Sequence, residues 1–190
     1  MAVAKSDLSR PAPVPHGHAR NERALVREAL RGSEQALAEL FRVTWPGAYR
    51  AAFLIVHDHS AAEDIAQEAL VAAIRNLDRF DRRRPLRPWL HRIVVNRAID
   101  WTRVRTLRAE VFDADADGED DAGAARYSDP VLAALRELPP DQRAVVVLRH
   151  LLEYTPGEIA RMLELPRGTV NSRLRRGLDV LKARLEGEPR

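Results

Sequence analysis

Apolar residues recur at helical spacing along almost the whole chain from Glu22 onward, and this periodicity restricts the possible folds more than any other feature. Tyr49, Phe53 and Val56 follow one another at i, i+4 and i+7, which places them on one face of a helix. The strict alternation of apolar and polar residues that is typical of β-strands does not occur in the sequence. The sequence therefore predicts an all-α protein.

Breaks in this periodicity divide the chain into four parts. Residues 1–21 contain three prolines and few apolar side chains, so a disordered arm is expected there. Residues 22–108 and residues 129–187 are each long enough for a small helical domain. Residues 109–128 are acidic and rich in alanine and glycine, which predicts a flexible linker between the two domains.

Two short segments predict where helices begin. Ser60-Ala61-Ala62-Glu63 and Thr155-Pro156-Gly157-Glu158 both have the spacing of a capping box. The helix after the first box carries a stripe of small apolar residues, namely Ala62, Ile65, Ala66, Ala69, Ala73 and Leu77. After a basic loop containing two prolines, a further helix is expected from about residue 88 to about residue 107.

Charged residues occur in blocks that the formal net charge of +3 conceals. Residues 79–108 carry ten arginines against two carboxylates, and residues 109–121 carry seven carboxylates and no basic residue. Residues 161–190 have a net charge of +4. Two basic blocks separated by an acidic one favour a protein that presents two surfaces to a polyanion such as nucleic acid.

Other features exclude whole classes of protein. The chain contains no cysteine, so disulfides, a thiolate nucleophile and cysteine-ligated metal sites are excluded. Its longest apolar stretches are far too short for a membrane span, and the N-terminus lacks the apolar segment of a secretory signal. A cytoplasmic protein without membrane insertion, cofactor or metal is therefore expected.

The C-terminal part has the pattern of a helix-turn-helix. A capped helix is followed by the turn Glu164-Leu165-Pro166 and by a helix that begins at Arg167. The expected buried stripe of that second helix is Val170, Leu174, Leu178, Leu181 and Leu185. The side chains expected on its outward face are Thr169, Ser172, Arg175 and Arg176, and Asn171 and Arg173 flank that face. Side chains of these types can contact bases and phosphates. Glu164 stands where glycine is common, and a positive φ there would cost about 1 kcal/mol.

The N-terminal domain combines two different surfaces. Asp64, Gln67 and Glu68 share a helix face away from the alanine stripe, and this acidic patch favours a protein partner over DNA. Downstream, a cationic loop, nearby aromatic residues and a polar helix face suit phosphates together with unstacked bases. Trp89 and Trp101 are each better explained as core residues than as stacking platforms.

At this point the sequence resembles a known family. Asp64-Ile65-Ala66-Gln67-Glu68 and Pro88-Trp89-Leu90-His91-Arg92 resemble region two of the extracytoplasmic-function (ECF) sigma factors of RNA polymerase. Leu138-Pro139-Pro140-Asp141 and Gly168-Thr169-Val170-Asn171-Ser172-Arg173 resemble region four of the same family. The likeness extends over about residues 22–186, in the order and spacing of the family.

The resemblance implies an RNA polymerase specificity subunit that is not an enzyme by itself, with residues 22–108 as region two and residues 129–187 as region four. It implies that Asp64, Gln67 and Glu68 bind the largest β-type subunit of core polymerase. The residues implied in recognising and melting the minus-ten element of promoter DNA are Phe80, Arg82, Arg83, Arg84, Arg87, Trp89, Arg92, Asn96 and Arg97. Those implied at the minus-thirty-five element are Arg167, Thr169, Asn171, Ser172, Arg173, Arg175 and Arg176. An anti-sigma factor is implied as a further partner, and the acidic linker is implied to thread the polymerase channel that later carries RNA.

Two other functions fit parts of the sequence. A helix-turn-helix regulator could bind duplex DNA without entering polymerase, although residues 62–100 show no ligand-pocket pattern. A nucleic-acid enzyme could use His57-Asp58-His59 as metal ligands, but the position of this triplet directly before a capped helix favours a turn.

Overall fold

The computed structural model describes residues 17–112 and 130–187, with side chains described for residues 22–108 and 130–187. In these ranges the chain forms α-helices and short 3₁₀ and π turns but no strand, which confirms the all-α prediction. The helices are α1 (Gly17–Ala29), α2 (Glu34–Val56), α3 (His59–Arg75), α4 (Leu86–Phe112), α5 (Pro130–Arg136), α6 (Pro140–Val146), α7 (Pro156–Leu163) and α8 (Arg167–Gly187). Residues 1–16 of the expected arm and residues 113–128 of the expected linker lie outside the described residues, whereas residues 17–21 belong to α1 and residues 109–112 continue α4.

Helices α2, α3 and α4 pack against one another, and α1 packs against α2. The alanine stripe of α3 is buried as the sequence predicts, and Ala62, Ala66 and Ala69 are completely inaccessible to solvent. Small side chains on this face allow α2 and α4 to approach α3 closely. Leu90, Val94 and Ala98 of α4 are buried against the same core, and Trp101 is half-buried at its edge.

The turn between α2 and α3 is closed by residues other than those of the predicted capping box. His57 adopts a left-handed conformation, with φ of 54°, and its amide donates to the Phe53 carbonyl at 2.8 Å. The carboxylate of Asp58 accepts from the Ala61 amide at 2.9 Å and thereby caps α3. The predicted cap at Ser60 is therefore wrong, because α3 begins two residues earlier and Asp58 caps its first turn.

Helix α4 begins two residues before the predicted start, because a distant side chain holds its first turn. The Glu22 carboxylate on α1 accepts from the Leu86 amide at 2.9 Å. Because this amide has no partner inside the helix, the contact supplies one from 64 residues earlier in the chain. It also ties the end of the basic loop to α1.

The C-terminal helices form the expected helix-turn-helix. Thr155 and Glu158 make both hydrogen bonds of the predicted capping box, and Glu164 ends α7 with φ of 55°. Before them, α6 is followed directly by a π-helical turn, Val147–Leu151. Two residues of the predicted stripe of α8 are exposed, Leu178 at 41% and Leu185 at 43%. Leu178 is exposed because Gly177, its neighbour in the helix, faces α6 instead.

We expect Gly177→Ala to lower the free energy of unfolding by about 1 to 3 kcal/mol. A Cβ at this position would lie 2.8 Å from Cγ2 of Val146, so α6 and α8 would have to separate. Gly168→Ala is the matched control, since a Cβ there meets nothing within 4 Å and alanine favours the helix. Urea unfolding monitored by circular dichroism gives both values; equal stability of the two variants would contradict this packing.

Helices α1 to α4 form an N-terminal group and helices α5 to α8 form a C-terminal group. The two helix groups share one continuous hydrophobic core, which the sequence did not lead us to expect. Residues such as Ile55 and Val94 of the N-terminal group belong to the same cluster as Leu148 and Ile159 of the C-terminal group. We call the contact between α2 and α4 on one side and α6, the π turn and α7 on the other the seam. The seam determines which of the candidate functional residues face each other.

Candidate nucleic-acid and protein interfaces

A buried arginine anchors the seam. Arg143 is 6% exposed, and its guanidinium donates to the carbonyls of Ile55 at 2.5 Å, Arg136 at 2.6 Å and Leu138 at 3.0 Å. Burial, followed by the charge of Arg136, lowers the pKa of Arg143 to about 10, so the side chain remains charged at neutral pH. Since Ile55 belongs to the N-terminal group, one side chain links both groups through their backbones.

A buried histidine and tyrosine form a second polar contact across the seam. The hydroxyl of Tyr154 lies 2.8 Å from Nδ1 of His91, and the two rings meet edge to face. Burial, followed by the charge of Arg87, lowers the pKa of His91 to about 4 against the opposing effect of a hydrogen bond to Gly47. His91 is therefore neutral at physiological pH, and Nδ1 can accept from Tyr154 while the other ring nitrogen donates.

Ion pairs surround these buried contacts. Arg92 on α4 lies 2.6 Å from the Glu164 carboxylate at the end of α7. The Asp141 carboxylate at the start of α6 lies 2.7 Å from Arg103 on α4 and 3.1 Å from Arg173 on α8. Two carboxylates of the C-terminal group thus bind arginines from both helix groups.

The acidic patch of α3 is exposed as the sequence predicts. Asp64, Gln67 and Glu68 lie together on the surface, and Glu68 pairs with Arg97 of α4 at 2.7 Å. Val71, one turn further along the same face, is 38% exposed and extends the patch with an apolar side chain. Val71 is not among the residues predicted for this patch, although its position four residues after Gln67 and three after Glu68 places it on the same helix face.

The basic loop between α3 and α4 presents its arginines to solvent. Arg82, Arg83 and Arg84 of the loop are exposed, as is Arg87 in the first turn of α4. The Asp81 carboxylate accepts from the Arg83 amide at 3.0 Å, which fixes the turn from which these side chains project. The loop therefore offers a cationic surface without a buried charge.

An aromatic pair lies behind the loop at the base of a cleft of about 600 Å³. The rings of Phe80 and Trp89 are 5.0 Å apart; Phe80 is buried and Trp89 is half-buried. Four arginines and the side chain of Met162 contribute to the walls, and three of these residues were not selected from the sequence: Arg79, Arg161 and Met162. Because α7 forms one wall, the cleft is built jointly by both helix groups.

The recognition surface of α8 is only partly free. Arg167, Asn171, Arg175 and Arg176 are exposed. Thr169, Ser172 and Arg173 are half-buried; the Ser172 hydroxyl donates to the Thr169 carbonyl at 2.9 Å, and Arg173 pairs with Asp141. The predicted DNA-binding residues Thr169, Ser172 and Arg173 are therefore partly covered by contacts within the chain.

The histidine triplet forms a turn, as the sequence favours. His57 closes α2, Asp58 caps α3 and pairs with Arg105 at 3.0 Å, and His59 accepts or donates a hydrogen bond with Tyr49 at 2.6 Å. Burial, followed by the charges of Arg143 and Arg136, lowers the pKa of His57 to about 3. Within the described residues, no group of three potential ligands is arranged to hold a metal ion.

Family models account for both helix groups. The model described as Sigma-70 region 2 matches residues 40–108, and the model described as Sigma-70, region 4 matches residues 128–181. ECF RNA polymerase sigma factor SigW of Bacillus subtilis is 31% identical over 176 residues, which cover 84% of this chain and 94% of the relative. ECF RNA polymerase sigma factor SigM of Mycobacterium tuberculosis is 34% identical over 173 residues, covering 90% and 87% respectively.

The chain belongs to the ECF family of RNA polymerase sigma factors. It is an alternative sigma factor, a transcription initiation factor that directs RNA polymerase to promoters. The reading as a regulator that acts apart from polymerase is not favoured, because the matches include region 2 as well as the helix-turn-helix of region 4.

Solved structures resemble the sigma factor over most of its length. CnrH, solved in complex with the cytosolic domain of CnrY, has a TM-score of 0.67 and 29% identity, and the match covers 89% of this chain and 99% of CnrH. The sigma factor RpoE of Bartonella quintana, solved with the anti-sigma factor NepR, has a TM-score of 0.63 at 22% identity, with 80% and 98% covered. The latter likeness concerns the fold. None of the helices in the described part of the sigma factor is long and apolar enough to cross a membrane.

Proposed function

We propose that this sigma factor contacts core polymerase through α3, the minus-ten element through the loop before α4, and the minus-thirty-five element through α8. The observation that carries the proposal is the separation of charge on the surface. The α3 patch is acidic, whereas the loop and the exposed face of α8 carry arginines on different elements. DNA phosphates suit the two cationic surfaces, and the acidic patch suits a protein partner.

At the minus-ten element, the cleft provides both kinds of contact that a melted strand requires. The half-buried ring of Trp89, supported by Phe80 at 5.0 Å, offers an apolar surface for an unstacked base. The loop residues Arg82, Arg83 and Arg84, with Arg87 at the start of α4, can bind the phosphates on either side of that base. Capturing an unpaired base offsets part of the few kcal/mol that unstacking costs.

At the minus-thirty-five element, α8 is the recognition helix. Arg175 and Arg176 are exposed and can donate bidentate hydrogen bonds to guanine or bind phosphate. Arg167 and Asn171 lie in its first turns, where recognition helices contact base edges. The Thr155–Glu158 capping box fixes α7, which packs against α8 and holds it in position.

The proposed partners are core RNA polymerase, promoter DNA and an anti-sigma factor, and the proposed place of action is the cytoplasm. Two solved structures of similar fold contain a second protein, namely CnrY with CnrH and the anti-sigma factor NepR with RpoE. In this proposal the sigma factor acts by binding and by strand separation rather than through a catalytic group of its own.

Changing Asp64, Gln67 and Glu68 together to alanine is expected to weaken the binding of core polymerase at least tenfold. A loss of about 1.4 kcal/mol shared among the three side chains is sufficient for a tenfold effect. The matched control changes Glu34, Gln35 and Glu39 to alanine, which removes the same number of carboxylates and amides from α2. Titration of labelled sigma factor with core polymerase measures the effect; equal affinity of the two triple variants would contradict the assignment.

Run-off transcription from a promoter library tests the two DNA surfaces together. We expect Trp89→Ala to reduce strand opening, detected as permanganate reactivity of unpaired thymines, while duplex binding persists. We expect Arg175→Ala with Arg176→Ala to reduce promoter binding itself. Arg31→Ala with Arg50→Ala, at exposed positions on other elements, is the charge-matched control. If transcription depended on neither surface, the proposed division of contacts would be wrong.

A further inference from the structure

A second hydrophobic cluster, which we call the loop cluster, lies beneath the basic loop and beside the main core. Its buried members are Val26 and Ala29 of α1, Ala36 and Leu40 of α2, Leu77 and Phe80 before the loop, and Leu86 at the start of α4. The half-buried Trp89 packs against both the loop cluster and the main core. The aromatic residues proposed to capture an unpaired base are therefore supported from below by α1.

The basic loop is anchored in the loop cluster at both of its ends. Phe80, before the loop, is 8% exposed, and Leu86, after it, is 4% exposed. Between them the Asp81 carbonyl accepts from the Arg84 amide at 2.9 Å, and the exposed arginines project from this turn. The position of these arginines relative to Trp89 thus depends on how firmly the two ends of the loop are held.

Glu22 holds the second of these ends. Val26 and Ala29 follow Glu22 at i+4 and i+7, so its side chain lies on the face of α1 that packs on the loop cluster. The Glu22 carboxylate accepts from the Leu86 amide at 2.9 Å. Leu86 is the first residue of α4, where unpaired amides and the helix dipole favour a negative charge. Glu22 is therefore a helix cap that another helix supplies.

The sequence before α4 does not provide a local cap of this kind. A local cap needs a side-chain acceptor just before the first turn, such as that of serine, threonine, asparagine or aspartate. Pro85 has no polar side chain, and the side chain of Arg84 carries only donors. A proline and an arginine thus stand where a local cap would be, and Glu22 supplies the acceptor instead.

We propose that Glu22 is a positioning residue for promoter opening: through the Leu86 amide it keeps the basic loop and Trp89 in the arrangement that captures an unpaired base. This inference rests on the proposed function, because it uses the assignment of the loop and Trp89 to the minus-ten element. A loop that is already ordered loses less conformational entropy when it binds a single strand. Glu22 acts on the loop rather than on DNA, since its half-buried carboxylate is bonded to Leu86.

Glu22→Ala is expected to weaken strand opening about threefold to tenfold, because one partly exposed hydrogen bond changes an equilibrium by about this factor. The apparent affinity for the single strand falls with the fraction of chains in which the loop is ordered. Glu22→Gln keeps a side-chain oxygen that can accept from the Leu86 amide, so it should stay within about twofold of the unchanged chain. Glu28→Ala removes a carboxylate from an exposed position on the same helix and should leave opening unchanged.

The test uses the complete holoenzyme and the most actively transcribed promoter of the run-off library. Permanganate reactivity of unpaired thymines measures strand opening, and fluorescence polarisation measures binding of a labelled duplex that carries only the upstream half of that promoter. We expect Glu22→Ala to lower opening alone, whereas a general structural defect would also lower duplex binding and the affinity for core polymerase. The proposal is overturned by equal opening in Glu22→Ala and Glu28→Ala, by an equal loss of all three activities, or by a Glu22→Gln variant as defective as Glu22→Ala.

Hydrogen exchange of the Leu86 amide follows the contact directly in the free full-length chain. We expect this amide to exchange at least fivefold faster in Glu22→Ala than in the unchanged chain or in Glu22→Gln, as followed by nuclear magnetic resonance. The Val94 amide, in the buried middle of α4, serves as the internal reference and should keep its rate. An unchanged rate at Leu86 in Glu22→Ala would refute the cap without reference to DNA or polymerase.

The proposed function and the positioning role can fail separately. If Trp89→Ala leaves permanganate reactivity at the promoter intact, the assignment of the cleft to the minus-ten element is wrong. If Trp89→Ala impairs opening but Glu22→Ala does not, the assignment holds and the positioning role of Glu22 is wrong.

Discussion

Arg143→Ala is expected to lower the free energy of unfolding by about 3 to 5 kcal/mol, the largest effect of a single substitution that we expect in this sigma factor. The substitution removes a buried guanidinium that donates to the carbonyls of Ile55, Arg136 and Leu138. Each carbonyl would lose a partner in a site from which water is largely excluded. A cavity the size of the lost side chain would add to the cost.

Urea unfolding measures this loss, and two further variants separate its causes. Arg136→Ala removes an exposed arginine whose hydrogen bond to the His57 carbonyl is long, 3.4 Å, so its expected cost is below about 1 kcal/mol. Arg143→Lys keeps the charge but cannot reach three carbonyls in the geometry of a guanidinium, so it should recover only part of the stability. An Arg143→Ala variant as stable as Arg136→Ala would show that the three carbonyl contacts contribute little.

Acidification from pH 7 to pH 5 should lower the free energy of unfolding by about 3 to 4 kcal/mol through His57 and His91 together. Burial is the leading cause that lowers their pKa values, to about 3 for His57 and about 4 for His91, whereas both titrate near 6.5 when unfolded. Between those values the unfolded chain binds more protons than the folded chain. Stability is therefore complete above about pH 6.5 and falls as the pH decreases towards 4.

Substitutions that remove each titration check the assignment. His57→Asn suits the left-handed conformation at that position, and we expect it to reduce the loss between pH 7 and pH 5 by about half. His91→Gln should reduce the loss similarly, although it gives up the geometry of the contact with Tyr154 and starts from lower stability. Carboxylates also titrate at acidic pH, so the comparison is with the unchanged chain at the same two pH values. An unchanged loss in both variants would assign the acid sensitivity to those carboxylates.

Much of the fold follows from local sequence. Helical periodicity predicts the all-α class and the buried stripe of α3, since both depend on residues within a few turns of one another. The Thr155–Glu158 capping box and the positive φ of Glu164 are also local, and both agree with the structure. The start of α4 is not local, because the Glu22 carboxylate that holds the Leu86 amide comes from another helix.

The stripe of α8 shows where periodicity reaches its limit. Spacing alone allows either Gly177 or Leu178 to face the core, and hydrophobicity favours leucine. In the structure Gly177 faces the core, because Val146 of α6 fills the space that a side chain at this position would need. This choice depends on a neighbouring helix 31 positions earlier in the chain, which a periodic pattern does not contain.

The candidate site was likewise predictable in its surfaces but not in its internal contacts. The acidic patch of α3 and the arginines of the loop are exposed where spacing and charge place them. The pairs Arg92–Glu164 and Arg173–Asp141 were not foreseen, because each depends on how the two helix groups dock. The roles of these surfaces in binding polymerase and promoter DNA stay predictions, which the experiments above address.

The continuous core means that the two regions recognised by family resemblance are not separate units of folding in the free chain. Arg143 of region 4 donates to the backbone of Ile55 in region 2, and both groups bury their apolar residues in one cluster. A fragment that begins after the linker would expose this apolar surface to water and lose a hydrogen-bond acceptor. Cooperative unfolding of both regions together is therefore the expected behaviour of the free chain.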